Sequence, residues 1–484
     1  MSRERAVPRR RRAPAALAAA VLALSGALSF AAELLPVGTR DGVQELLERA
    51  ARGTRAAEWT RRLCDEVGPR LSGSPGDRAA VAWAQRVMRE IGLTGVRAEP
   101  VTVPRWKRGE ETGEVLAPYR HRLVLTALGG SVPTPVGGLV GELVAVPSLE
   151  ALDALLAKDP GAVRGKVVFF HRKMLRDSPG NGYGSVVPIR TEGAARAGKA
   201  GASGVLIRSV GTSSSRLPHT GAMRYAAGGP RIPAAAVSAP DADLLERLSA
   251  SGRRVVVRFR LGCRNLPDAV SANVVGEVRG SERPEEVVLL GAHLDSWDLG
   301  TGAIDDGAGC GIVLEAARLI AEAPRRPGRT VRVVLFANEE NGLAGGREYP
   351  RAHAGELPRH VAALEADGGA GRTKGFGWSA GEGAEPVLAA ISSLLSPLGA
   401  SGLRKGGGGA DIGPLRASGV PLLSPDQEGA SYFDLHHSAD DTFDKVDPAS
   451  LEQTATALSA MAFALADLPE PLPRLPEEAP AARR

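Results

Sequence analysis

The sequence predicts an α/β protein built on a central mixed, mostly parallel sheet that is flanked by helices. From residue 271 onward, runs of Val, Leu and Ile alternate with amphipathic segments, as expected where helices cover both faces of a sheet. Before that point, residues 120–262 hold shorter apolar strands separated by Gly-, Pro- and Ser-rich loops, which indicates a second α/β module. The chain of 484 residues is also too long for one ordinary core.

The second half of the chain supplies the central sheet. Its candidate strands are apolar runs, at 273–278, 286–291, 330–337, 361–366 and 419–424. Its candidate helices lie at 309–322, 385–396 and 448–468. Residues 469–484 are rich in Pro and charge and poor in apolar side chains, so we expect a disordered tail there.

The first half of the chain has a different pattern of predicted helices and strands. Residues 41–92 show helical periodicity in two pieces, broken by the turn-rich stretch 68–77, and residues 95–103 then alternate like a strand. The candidate strands of the following module are at 123–128, 165–170, 202–207, 231–237 and 254–259. Within this module, the sequence of residues 177–229 predicts a long irregular segment.

The net charge of +5 comes from the first residues of the chain. Residues 1–12 contain six Arg and one Glu, so residues 13–484 are formally neutral and do not predict a nucleic-acid-binding face. The Arg-rich start and the uncharged run 13–32 resemble a secretory signal, which predicts export to the periplasm or the exterior. An uncleaved membrane anchor is the alternative, because the run is about 20 residues long. After signal cleavage we expect no stable membrane association.

Three cysteines occur, and an odd number in an exported protein leaves at least one thiol free. The sequence is therefore not a disulfide scaffold. A bridge between Cys64 and Cys263 is left open, and Cys310, among Gly and Ala in a predicted helix, is expected to be a small buried residue.

Polar side chains follow the ends of three predicted strands of the central sheet. These side chains are His293, the adjacent Glu339 and Glu340, and Asp367. The carboxyl edge of an open α/β sheet lines the crevice where ligands bind, so we expect these residues to converge although they are far apart in the sequence. Asp305, followed by a second Asp, stands just before a predicted helix, whose N-terminus favours a carboxylate.

These residue types are metal ligands. Imidazole nitrogen and carboxylate oxygen bind zinc, and a carboxylate shared by two ions builds a hydrolytic centre with metals roughly 3.5–4 Å apart. Asp295 stands two residues after His293, where its carboxylate could accept the other ring N–H and define the tautomer. One of Glu339 and Glu340 could bind a metal while the other acts as a general base. In HHSADDT, at 436–442, the spacing does not decide which histidine binds metal.

Together, the HLD, DD, EE, ADG and HHSADDT motifs resemble those of the cocatalytic zinc metallopeptidases. That group includes secreted bacterial aminopeptidases, glutamate carboxypeptidase and carboxypeptidase Q, and the resemblance is nearest to the carboxypeptidase Q branch. It spans roughly residues 39–468 and implies the zinc-dependent exopeptidase fold. It further implies a peptidase domain made of residues 33–119 and 266–468, interrupted by a protease-associated-like domain at 120–265.

The resemblance also implies two Zn²⁺ per chain and a role for each site residue. The implied metal ligands are His293 and Asp367 on one zinc, Glu340 and His437 on the other, and Asp305 bridging both. Glu339 is the implied general base, with Asp295 as the second catalytic residue. His437 is chosen because the family ligand directly precedes the S/T-x-x-D-T run. His436 then stands where the aminopeptidases often carry a Tyr that helps to hold the oxyanion, and such a role for His436 is left open.

The predicted function is zinc-dependent hydrolysis of short peptides or dipeptides from one end. A metal-bridging hydroxide attacks the peptide carbonyl, and Glu339 takes its proton. One alternative is a receptor-like binding protein of the same architecture that lacks catalysis; another is a single-zinc acyltransferase such as glutaminyl cyclase. The expected partner is a peptide substrate rather than nucleic acid, and a homodimer is left open.

Overall fold

The computed structural model describes residues 34–176 and 181–476. The predicted signal at 1–32 and the last part of the predicted tail, 477–484, lie outside these residues. The described part contains two eight-stranded sheets, and helices cover both faces of the larger one. The α/β fold class is therefore confirmed.

The strands occur in the following order along the chain: β1 Thr94–Lys107, β2 Glu111–Ala117, β3 His121–Leu123, β4 Leu125–Ala127, β5 Leu139–Val146, β6 Val167–Phe170, β7 Gly204–Arg208, β8 Ala234–Val237, β9 Val256–Leu261, β10 Arg264–Val278, β11 Arg283–His293, β12 Arg329–Phe336, β13 His360–Glu365, β14 Thr373–Ser379, β15 Gly402–Lys405 and β16 Leu422–Gln427. The α-helices are α1 Val37–Ala50, α2 Ala56–Glu66, α3 Pro75–Glu90, α4 Leu149–Lys158, α5 Asn181–Lys199, α6 Ala239–Ala250, α7 Ala308–Ala321, α8 Ala344–Ala352, α9 Ala384–Ser393, α10 Tyr432–Leu435 and α11 Pro448–Asp467.

The larger sheet has the strand order β1-β10-β12-β11-β13-β16-β14-β15. Its centre, β12-β11-β13-β16, is parallel, whereas β10 and β14 join it in the antiparallel sense. The central strands of a sheet covered on both sides need apolar residues on both faces. Accordingly, Val288 and Leu290 of β11 pack with helices α7 and α11 on one face, and Leu289 packs with Tyr349 and Ile412 on the other.

The smaller sheet has the strand order β3-β2-β9-β5-β6-β7-β8-β4. Strands β5 to β8 are parallel, and the other pairings are antiparallel. This sheet belongs to the chain segment between β1 and β10, two long strands of the larger sheet that pair with each other. Residues from the smaller sheet's loops and from α5 reach the carboxyl edge of the larger sheet.

The structure corrects two expectations about the helices. The segment 177–229 is not irregular throughout, because it contains α5 and β7. Helix α5 carries four Gly and a Pro, which weaken its intrinsic helix preference, and packing of its apolar side chains stabilises it instead. The first predicted helical piece is split into α1 and α2, so three helices precede the first strand.

The tail prediction is wrong for residues 469–476. Leu472 is buried in the main core, and the Leu475 N–H donates a hydrogen bond to the Gly419 carbonyl. Arg474 also donates hydrogen bonds to the carbonyls of Leu357, His360 and Ser418, so a segment of mostly polar composition packs against the domain. All three cysteines are buried and free, so the bridge between Cys64 and Cys263 is absent.

None of the helices in the described ranges combines the length and apolarity that crossing a bilayer requires.

Candidate metal centre and catalytic site

The carboxyl ends of three neighbouring parallel strands bring the predicted residues together. His293 is the last residue of β11, Glu339 and Glu340 follow β12, and Asp367 lies two residues after β13. Because β12, β11 and β13 are adjacent and parallel, their ends meet at one edge. Asp305 approaches this edge from the segment before α7.

Asp305 lies between the two histidines. Its Oδ1 is 3.1 Å from His293 Nε2, and its Oδ2 is 3.2 Å from His437 Nε2. Burial opposes ionisation of this carboxyl group, but the contacts from the two histidines hold its pKa well below the usual range. Asp305 is therefore a carboxylate with one oxygen directed to each side of the site.

Two groups of potential ligand atoms share Asp305. One group contains His293 and Asp367, and the other contains His436 and His437; within each group, the donor atoms lie within 4.8 Å of one another. Glu340 Oε2 is 2.8 Å from His437 Nε2, which adds a carboxylate to the second group. Asp367 is partly exposed, and its Oδ1 is 3.7 Å from His293 Nε2.

Backbone carbonyls determine the orientation of both Nε2 atoms. His293 Nδ1 is 3.0 Å from the Asp295 carbonyl oxygen, and His437 Nδ1 is 3.4 Å from the Thr220 carbonyl oxygen. An N–H at Nδ1 that donates to these oxygens leaves Nε2 unprotonated and available to a metal. Thr220 belongs to the segment of the smaller sheet, so both parts of the molecule build the site.

The carboxylate of Asp295 has a second neighbour that the sequence did not indicate. Its Oδ1 is 3.7 Å from His293 Nδ1, farther than the Asp295 backbone carbonyl. Its stronger hydrogen bonds come from the Glu339 backbone N–H, at 3.0 Å, and from Ser72 Oγ, at 2.8 Å. Asp295 therefore holds the backbone of the residue predicted to be the general base.

His436 is buried and lies against the ring of His437, with ring centroids 3.5 Å apart. Its Nε2 is 3.5 Å from Asp305 Oδ2. Burial and the neighbouring His437 hold the pKa of His436 well below its usual range, which favours the neutral imidazole. Its Nδ1 has no hydrogen-bond partner among the described residues. His436 is placed to be either a third nitrogen donor or a contact to substrate.

The donor set fits a divalent cation. Glu339, Glu340, Asp305 and Asp367 crowd together, and in the described part of the chain none of them pairs with Lys or Arg. Burial, then the charges of nearby carboxylates, raises the pKa of Glu339 to about 8 and that of Asp367 well above its usual range. Cations shared by these oxygens would remove this repulsion, and two imidazoles with several carboxylates match the donors that zinc prefers.

Two further positioning residues come from the turn-rich stretch 68–77 and from the HHSADDT motif. The buried Arg70 donates to the carbonyls of Leu294, Thr301 and Gly302, and so orders the loop between His293 and Asp305. Asp441 accepts hydrogen bonds from the backbone N–H groups of residues 304 and 305. The hydrogen-bond partners of Arg70 and Asp441 lie more than 130 residues away in the sequence.

A cavity of about 590 Å³ opens onto this centre. Asp305, Glu339, Glu340, Asp367 and both histidines of HHSADDT line it together with residues of α5 and of the loops of the smaller sheet. A volume of this size accommodates a short peptide rather than a folded protein.

Comparison with known proteins identifies the group to which this architecture belongs. The model of peptidase family M28 matches residues 273–462. Carboxypeptidase Q of Bos taurus is 38% identical over 420 residues, which cover 87% of each chain. The chain belongs to peptidase family M28. The prediction of a zinc metallopeptidase with a peptide substrate is thereby confirmed at the level of the family.

One solved structure agrees with this assignment, and a more distant one shares the fold. A peptidase M28 precursor from Shewanella amazonensis is 41% identical, with a TM-score of 0.87, and the match covers 91% of this chain and 99% of that one. A zinc aminopeptidase from Bacillus subtilis is 20% identical with a TM-score of 0.62, covering 84% of this chain and 94% of that one, and it shares the fold.

Proposed function

We propose that this M28 peptidase is a dizinc exopeptidase that hydrolyses short peptides or dipeptides. One observation carries the proposal: the two oxygens of Asp305 lie 3.1 Å from His293 Nε2 and 3.2 Å from His437 Nε2. A carboxylate that faces one histidine on each side is suited to share two cations.

Five residues would hold the metals. His293 and Asp367 would bind one zinc, Glu340 and His437 the other, and Asp305 would bridge them. Bound zinc supplies Lewis acidity, which polarises the peptide carbonyl and makes water a stronger nucleophile. The backbone carbonyls at Nδ1 of both histidines support this assignment, because in the neutral ring they place the proton on Nδ1 and leave Nε2 for a metal.

Glu339 is the proposed general base. Its carboxyl group lines the cavity, and its backbone N–H is held by Asp295. A base at this position accepts the proton of the attacking water and returns it to the leaving amine. Without cations, burial and the neighbouring carboxylates raise the pKa of Glu339 to about 8, and cations held by those carboxylates would lower it and so keep Glu339 ionised as a base.

The two alternative functions receive less support. A receptor-like protein has no need for five ligand-type side chains, a base and a buried second layer of hydrogen bonds. A single-zinc acyltransferase does not account for a second ligand group on the other side of Asp305. We therefore retain catalysis by two metals.

The test combines metal counting with a substrate panel. The purified protein, stripped by chelator and reloaded with zinc, should contain two zinc ions per chain and regain hydrolysis of unblocked dipeptides. Dipeptides blocked at the amino or the carboxyl end would reveal which free end the enzyme requires. One zinc per chain at full activity, or no hydrolysis of any peptide after reloading, would reject the proposal.

Three predictions beyond the site also stay proposals. We propose export directed by residues 1–32, which peptide sequencing of the mature N-terminus would test. We propose that residues 33–119 and 266–468 form the peptidase domain around an inserted domain at 120–265. The third proposal is a homodimer, which light scattering of the zinc-loaded protein would test.

A further inference from the structure

Arg190 of α5 is a buried cation beside the metal centre. Arg190 is only 7% exposed, and its side chain lines the cavity that Asp305 and Glu339 also line. It enters this cavity from the segment of the smaller sheet. A guanidinium group stays charged in proteins, so its burial requires compensation by hydrogen bonds or an opposite charge.

The described residues compensate Arg190 only in part. Nη2 donates a hydrogen bond to Tyr183 Oη at 3.0 Å. Nε and Nη1 are buried and find no hydrogen-bond acceptor in residues 34–176 and 181–476. Nη2 has a second N–H beside these unpaired donors, so the guanidinium group keeps donors that no described side chain satisfies.

The surroundings leave room for the guanidinium group and define its position. The Cβ of any other residue at Gly221 would lie 2.4 Å from Arg190 Nη1, so the absence of a side chain there accommodates the arginine. On another side, the guanidinium carbon is 5.5 Å from the centroid of the Tyr183 ring. Arg190 is thus held in place while two of its nitrogens stay unpaired.

Arg190 is separated from the bridging carboxylate by two aromatic side chains. The Tyr183 ring, which Arg190 contacts, is 5.2 Å from the ring of His436, and His436 Nε2 is 3.5 Å from Asp305 Oδ2. One residue of an extended peptide spans about 3.5 Å. A peptide whose carbonyl lies at the metal centre would therefore carry its end to Arg190 within a few residues.

We propose that Arg190 binds the free C-terminal carboxylate of the substrate and thereby selects short peptides that end just beyond the scissile bond. This inference rests on the proposed function and adds which end of the peptide the enzyme recognises. The guanidinium fork matches a carboxylate in shape and charge, and a carboxylate would satisfy donors that the protein leaves unpaired. An acidic side chain of the substrate offers the same chemistry, so the test must separate the two sources.

The experiment uses the zinc-loaded full chain and three substrates: alanyl-alanine, its C-terminal amide, and alanyl-glutamate amide. The wild type should hydrolyse the free acid with a kcat/KM at least about 30-fold above that of the alanine amide. Arg190→Gln should lower kcat/KM for the free acid by about 10- to 100-fold, mainly through KM, and collapse the preference for acid over amide.

The matched control is Arg196→Gln, which removes the same charge from the same helix. Arg196 is exposed and pairs with Asp153 and Glu192, so this variant should keep the preference for the free acid. Zinc content and thermal unfolding of both variants are measured alongside. If Arg190→Gln does not fold, Tyr183→Phe removes the hydroxyl that orients Nη2 and should raise KM for the free acid by a smaller factor, with little change in kcat.

Each outcome separates this inference from the proposed function. Equal hydrolysis of acid and amide by the wild type, or an unchanged preference in Arg190→Gln, overturns the role of Arg190 while the peptidase stands. A preference for the glutamate amide that disappears in Arg190→Gln assigns Arg190 to a side-chain carboxylate and overturns the C-terminal assignment. No hydrolysis of any of the three by the zinc-loaded wild type counts against the proposed function itself.

Discussion

Asp441 holds the backbone of Asp305: its Oδ2 accepts a hydrogen bond from the Asp305 N–H at 3.3 Å, and its Oδ1 accepts one from the preceding N–H at 2.6 Å. The last motif of the chain thus positions the carboxylate that faces both histidines. Asp441→Asn presents an amide N–H to one of these donors, so we expect zinc affinity to fall by about 10- to 100-fold. Competition with a chelator of known affinity measures this loss. Asp440→Asn is the control, because Asp440 is half-exposed and pairs only loosely with Lys445, at 3.9 Å; equal losses in both variants would contradict the role of Asp441.

The Glu339→Gln variant should keep zinc but lose turnover. Gln has the same shape and cannot accept the proton, so kcat for a dipeptide should fall by about 10²–10⁴. Initial rates and metal content per chain are the measurements. Glu348→Gln, at a partly exposed residue of α8, should behave as the wild type does. Turnover of Glu339→Gln within twofold of wild type would reject Glu339 as the base.

Ser72→Ala should affect catalysis as well as stability. Ser72 Oγ donates to Asp295 Oδ2 at 2.8 Å, and Asp295 Oδ1 accepts the Glu339 N–H. Loss of this bond to a buried carboxylate should lower the free energy of unfolding by about 1–3 kcal/mol and kcat by about 10-fold. Ser74→Ala is the control, because Ser74 caps α3 through the Asp77 N–H at 3.1 Å, and its loss should cost about 1 kcal/mol without changing kcat. A kcat for Ser72→Ala equal to that of Ser74→Ala would show that Ser72 is only structural.

His360 should make the fold sensitive to acid. Burial, assisted by the positive charge of Arg332, lowers the pKa of His360 to about 4, against 6.5 for an ordinary histidine. The neutral ring fits its contacts, since Nδ1 can donate to the Glu356 carbonyl at 3.1 Å and Nε2 can accept from Tyr349 Oη at 2.9 Å.

Between pH 6.5 and 4, the unfolded chain takes up a proton that folded His360 excludes. The free energy of unfolding should therefore fall by up to about 3 kcal/mol as the pH drops through this window, with no such effect above it. Urea unfolding of wild type and His360→Gln at several pH values measures the difference, which cancels the titration of other groups. Parallel pH curves for the two proteins would exclude this role of His360.

The outline of the site could be predicted because it depends on local patterns. A strand end is visible where a run of apolar residues gives way to His293, Glu339 or Asp367, and parallel neighbours must end at the same edge. Helices α7 and α11 were likewise visible from their long apolar stretches. Helix α5 was not, because its glycines and proline hide a helix that packing stabilises.

Sequence alone determined the fold class, the strand ends that carry the metal-ligand residue types, and the membership of His437 in a family motif, because periodicity and short motifs are local properties of the chain. Only the tertiary structure decided that Asp295 holds the Glu339 backbone, that Asp441 holds Asp305, and that Arg190 enters the cavity from the smaller sheet. Hydrogen bonds between residues far apart in sequence, and buried charges without a partner, arise only when the chain folds. Burial brings the groups together and raises the free-energy cost of leaving them unpaired.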